Sequence, residues 1–210
     1  MLQKILIGGT FFLVAFSILF ISILRSAAVR HDFPTGTDAN AYHSEILDKN
    51  FHIDYELAFP GKTLADSSFW PLKAARDQIW LFTTVDKSRK ADLYLLFADK
   101  RLGASVILFE KENYDDALSS LVKGERYLEL ASAQEKKNRD EGLDTKDFLL
   151  RLTNASLKHA ITIEEISVVA PSVVVTEVKR EVNISKKVYT DARNALRDMG
   201  IETPNNPFDW

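Results

Sequence analysis

Cysteine is absent from the 210 residues. No disulfide, thiolate metal site or cysteine nucleophile is therefore available, and the fold must stand on packing. Positive charge is not in excess either. The 27 Lys and Arg against 30 Asp and Glu leave a formal net charge of −3, without the positive field by which nucleic-acid binders displace counterions. Nucleic acid is not an expected partner. The chain also has no Walker-type phosphate loop, no HExxH, no GxSxG elbow and no dinucleotide glycine pattern. Histidine is scarce, and three of the four, His31, His43 and His52, fall in one polar stretch. They lack the short fixed spacing and rigid support that metal ligands need, so no metal or cofactor is expected.

What the chain does have is one long apolar run. Residues 5–24, ILIGGTFFLVAFSILFISIL from Ile5 to Leu24, contain no charge, and twenty helical residues match a hydrocarbon core of about 30 Å. They are expected to span a lipid bilayer once. A cleaved secretory signal is the competing reading, with Ser26 and Ala28 imitating a cleavage site, but its apolar core is normally only about 7–15 residues. Lys4 precedes the run and Arg25 and Arg30 follow it, so the positive-inside rule does not decide orientation. The short amino-terminal flank favours export of the bulk of the chain.

Residues 26–65 then change character. Pro34, Gly36, Pro60 and Gly61 punctuate them and polar residues interrupt each apolar run, which reads as a flexible stalk. Beyond it the periodicity is helical. Ser67 or Ser68 can cap a first helix with Pro71 in its opening turn, and Leu72, Ala75, Ile79 and Phe82 then form its apolar face. Asp86 can cap a second helix over about residues 87–110. Its two stripes, Ala91, Leu95, Ala98 and Leu102 on one side and Leu93, Phe97, Ala104 and Leu108 on the other, place it centrally in a bundle. After a polar break at residues 110–116, Ala117, Leu121, Gly124, Leu128 and Ala131 mark a third helix, with Gly124 implying close approach of a neighbour. The charged residues 136–144 read as a connection. A fourth helix carries Phe148, Leu152, Ala155, His159 and Ile166 and ends before Pro171. The fifth, from about residue 172 to 199, keeps Val175, Val178, Val182, Tyr189, Ala192 and Leu196 in register, with Ser185 polar in the same seam.

Two sets of side chains are candidates for function. Phe69, Trp70 and Trp80 flank the first helix and are candidate contacts for a partner. His159 is the one histidine inside the predicted bundle, and could serve as acid or base beside a serine. On a stripe with Ala155 and Ile166 it reads instead as a core histidine, whose ring, when neutral, has one nitrogen donating and the other accepting. No catalytic residue is assigned. Adjacent carboxylates such as Asp115 and Asp116 diverge on a helix and do not form a pair.

FPGKTLADSSFWPLKAARDQI (59–79), FTTVDKSRKADLYLLFADKRL (82–102) and KHAITIEEI (158–166) followed by Pro171 resemble, in the same order, the bacterial family catalogued as domain of unknown function 5667. Ser68 and Lys87 stand where that family often has proline. The resemblance implies a membrane-anchored, exported, all-helical protein and supplies no activity. The expectation is thus an all-α chain: a transmembrane anchor at residues 1–25, a stalk at 26–65, a bundle of about five helices at 66–200 and a tail at 201–210. It would sit in the cell membrane with its bulk extracytoplasmic and hold an unidentified protein or envelope partner. An envelope-acting enzyme with His159 as acid or base is the alternative.

Overall fold

A computed structural model describes residue 53, residues 55–204 and residue 206. Among these are five helices and no strand: α1 (Trp70–Thr83), α2 (Lys87–Glu110), α3 (Tyr114–Asp140), α4 (Lys146–Val169) and α5 (Val175–Asp198). None of them is long and apolar enough to cross a membrane. The expected span at residues 5–24 and most of the expected stalk lie outside the described residues.

Helices α2 and α3 pack as one hairpin, α4 and α5 as a second, and α3 against α5 joins the two. Short connections enforce the antiparallel arrangement. Asp86 caps α2 as its sequence position predicts, accepting from the Arg89 N–H at 2.9 Å. Helix α3 runs through most of the charged segment expected to be a connection. Its outer side is solvated, with Lys136–Asp140 paired one turn apart, while Asn138 is buried and donates to the Lys87 carbonyl at 3.0 Å. The helix stops where Gly142 takes φ +83° and closes a Schellman pair, Gly142 N–H to Arg139 C=O and Leu143 N–H to Asn138 C=O. Gly200, at φ +70°, ends α5 in the same way. Residues 172–174 belong to a turn, so α5 starts slightly later than expected.

Helix α2 is central, as its two stripes require. Ala91, Leu95, Ala98 and Leu102 are buried within the bundle, while Leu93, Leu96 and Phe97 pack against Trp80 and Leu81 of α1. At Gly124 an added Cβ would stand 3.1 Å from the Leu102 backbone nitrogen and 3.3 Å from the Ala98 carbonyl. Only glycine permits this approach of α3 to α2 without movement.

Three expectations are corrected. First, the serines do not cap α1. The helix begins at Trp70 behind Phe69 with no side-chain cap, and Ser67 instead accepts from the Phe69 N–H in the preceding turn at 3.3 Å. Second, the stalk ends earlier than residue 65. Residues 55–65 are irregular in backbone yet packed on the bundle: Leu64 is buried in the core, Leu57 packs beside it, and Pro60 covers Gly103. Lys73 fastens this segment by donating to the carbonyls of Pro60 at 2.7 Å and Thr63 at 2.9 Å. Ile201, assigned to the tail, also packs on the core.

Third, α1 turns its aliphatic stripe outward. Leu72 is 61 % exposed and Phe82 89 %, with Ala75 and Ile79 also at the surface. The inward face is Lys73, Asp77, Trp80, Leu81 and Thr84. It is chosen by polar ties, Lys73 to the packed segment and Asp77 to Arg101 of α2 at 3.6 Å, together with burial of the Trp80 ring against Phe97. Replacing Leu72 and Ile79 together by Gln, a good helix former, should therefore change stability by no more than about 1 kcal/mol, within the range of surface substitutions. Urea unfolding followed by circular dichroism checks it. A loss of several kcal/mol would mean that the stripe is packed.

Candidate functional site

The apolar core is divided into two halves along the bundle. One contains Leu102, Leu121, Ala160, Ile163 and Val182; the other contains Leu95, Leu128, Leu152, Ala155 and Val188. Between them lies a layer of polar side chains, one from each of α2 to α5: Asp99, Glu125, His159 and Ser185, all fully buried. His159 Nδ1 is 2.7 Å from Glu125 Oε1, and its Nε2 is 3.1 Å from Asp99 Oδ1. The second oxygen of Glu125 accepts from the Ser185 hydroxyl. The second oxygen of Asp99 accepts from the Tyr55 hydroxyl at 2.7 Å and the Ala58 N–H at 3.4 Å. The packed segment before α1 thus completes the layer.

His159 lies in the core, and its ring is charged rather than neutral. Both ring nitrogens face carboxylate oxygens, so the ring donates twice, which only the imidazolium can do. Burial by itself pulls the pKa down, but the hydrogen bonds to Asp99 and Glu125 and the charges of both outweigh it and raise it from 6.5 to about 9. Tyr55 is pushed well above its ordinary value, first by burial and then by the Asp99 charge and hydrogen bond. Glu181, one turn before Ser185, is raised by burial and by Glu125, against the pull of Arg180. The histidine ring is 0 % exposed, so the layer has no open face on which a substrate could meet it.

An open concavity lies elsewhere, between α1, α2 and α3, with a volume of about 580 Å³. Its lining comes from one face of each helix: Trp70, Ala74, Gln78, Leu81 and Phe82 of α1; Lys90, Tyr94 and Arg101 of α2; Lys123, Arg126, Tyr127 and Leu130 of α3. The i, i+4 spacing on α1 and the i, i+3, i+4, i+7 spacing on α3 place these side chains in parallel rows. Tyr94 stacks on Tyr127 at 6.3 Å between centroids, and Gln78 donates to the Tyr127 hydroxyl at 2.7 Å. The Arg101 guanidinium lies over the Trp70 ring at 4.0 Å. Lys73, close by, is lowered to about 8 by burial and by Arg101, Lys100 and Arg76, with Asp77 opposing.

The three candidate aromatics do not form one surface. Phe69 is 72 % exposed ahead of α1, Trp70 lines the groove, and Trp80 is only 4 % exposed. Trp80 is therefore a core residue and is withdrawn as a partner contact. Sequence reading missed Lys90, Arg101, Lys123 and Arg126, because cations scattered over two helices resemble solvated faces until α1 is laid beside them. His31, His43 and His52 lie outside the described residues.

No curated protein and no solved structure shows significant similarity to the chain. Residues 62–183, more than half of its length, match the family described as Domain of unknown function (DUF5667). That span takes in α1 to α4 and the first part of α5, and with it the groove and the carboxylates and histidine of the buried layer. The chain belongs to the DUF5667 family.

Proposed function

We propose that the protein is a membrane-tethered, extracytoplasmic interaction module, held in the bilayer by residues 5–24 and offering the α1 side of its bundle to a protein partner in the cell envelope. The observation that carries this reading is the outward stripe of α1. Phe69, Leu72, Ile79, Phe82 and, just beyond the helix, Val85 are exposed along one edge. Large apolar side chains gathered in this way mark contact surfaces more often than isolated ones do. The uncharged run at residues 5–24 supports the tether. An enzyme using His159 finds less support, because both nitrogens of that ring are engaged and the ring has no exposed surface.

Photo-crosslinking in native membranes tests the reading. A benzophenone side chain at position 72 should yield a discrete protein adduct. The same group at Asn183, exposed on α5, should not. The chain should stay with the membrane through a carbonate wash, and protease added from outside should remove the bundle. Identical adducts from both positions, or protection of the bundle in permeabilised envelopes, would overturn the proposal.

A further inference from the structure

Four of the side chains lining the α1–α3 groove are cations and none is a carboxylate, in a chain whose net charge is −3. Lys90 and Lys123 form no ion pair among the described residues, and Arg126 pairs with Glu129 outside the lining. Arg101 shares Asp77 with Arg76. Its buried Nη1 has no hydrogen-bond partner, so the positive charge beneath Trp70 is only partly compensated. A buried guanidinium that is incompletely satisfied is unusual, and it adds to a positive field along the groove floor.

The cations stand at two levels of the groove. Lys90 and Arg101 are eleven residues apart on α2, about 16 Å along the helix, and Lys123 and Arg126 lie one turn apart on α3 at the Arg101 level, where Gly124 meets Arg101. Trp70 and Tyr127 supply aromatic surface between them. A single phosphate or headgroup would engage only the cations at the Arg101 end and leave Lys90 and the aromatic floor unused. Cations at both ends of an aromatic floor suit a linear partner with several carboxylates and interspersed apolar side chains, laid along about three helical turns.

We infer that the groove between α1, α2 and α3 is the docking site for an acidic, amphipathic protein segment. This deepens the reading of the chain as an interaction module and rests on it. The test is selection from a displayed library of random dodecapeptides against the full chain in nanodiscs of phosphatidylcholine. Enriched peptides should combine Asp or Glu with Phe, Leu or Trp. A fluorescein-labelled selected peptide should bind at least about tenfold more weakly to Lys123→Glu and to Arg126→Glu, and more weakly as salt is raised. Both side chains are exposed, and thermal melts of the variants establish that they are folded; Lys90→Glu serves as a third variant on a different helix.

Enrichment of neutral or basic peptides, no enrichment at all, or binding within twofold of wild type in every charge-reversal variant would overturn the inference. So would binding of phosphatidylglycerol vesicles in the absence of any selected peptide. Any of these results alongside a discrete adduct from position 72 would leave the interaction module standing and remove only the acidic segment.

Discussion

His159→Gln should melt well below the wild-type chain at pH 7, and His159→Ala lower still. Were the ring neutral, glutamine would restore part of its volume and one donor, and the loss would be mild. In the observed layer the imidazolium stands between Asp99 and Glu125, and either substitution leaves two carboxylates facing each other without it. Removing one partner from a buried charged set costs about 3–5 kcal/mol. Alanine adds a cavity in the buried layer, at a further cost on the order of 1 kcal/mol. Since each kcal/mol moves the midpoint by about 2–4 °C in a domain of this size, melting followed by circular dichroism should show a drop of roughly 10 °C or more. A His159→Gln chain that melts with the wild type at pH 7 would sink the charged assignment.

The same residue sets a pH dependence whose sign follows from its direction of shift. The pKa is higher folded, about 9, than the ordinary 6.5, so the folded state holds the proton more tightly. Its contribution is fully present below about pH 6.5 and is lost as pH rises through 9. The difference corresponds to about 3 kcal/mol. The wild-type midpoint should therefore fall between pH 6.5 and 9.5, and the gap to His159→Gln should narrow over that interval. Tyr55, raised by burial and by Asp99, keeps its proton across this window and continues to donate.

Much of the bundle can be read along the chain because its signals are local. The boundaries of α2 follow from the Asp86 cap and the polar residues after Glu110. Gly124 in an apolar seam announces the close contact that it makes with α2. The buried layer was less legible, though a trace of it existed. Asp99 falls between Leu95 and Leu102, Glu125 between Leu121 and Leu128, and Ser185 between Val182 and Val188. Each is a polar residue within an apolar stripe, as His159 is. Only when the helices are set side by side do these interruptions reach the same depth and pair in charge. The face of α1 was misread for a related reason. An aliphatic stripe competed with an inner face whose anchors, Lys73, Asp77 and Trp80, look polar or amphipathic in sequence. The partners that decide between the faces, Pro60, Thr63 and Arg101, lie on other parts of the chain.

The packed segment before α1 carries the second large effect. A chain that begins at residue 53 keeps Tyr55, Leu57, Ala58 and Pro60, whereas one that begins at residue 62 loses all four while retaining every helix. The shorter chain gives up the Tyr55 hydroxyl and the Ala58 N–H as donors to Asp99, so a buried carboxylate oxygen is orphaned at a cost of about 1–3 kcal/mol. It also exposes the apolar surface covered by Leu57 and Pro60 and removes one of the two carbonyls that hold the Lys73 ammonium. Losing the side chains that cover a core face adds about 2 kcal/mol or more. The chain from residue 62 should thus be about 3–5 kcal/mol less stable than the chain from residue 53, with an unchanged helical spectrum below its transition. Tyr55→Phe in the longer chain isolates the hydroxyl and should account for about 1–3 kcal/mol of the difference. Equal urea midpoints for the two chains would return residues 55–61 to the stalk and leave Asp99 satisfied by His159 alone.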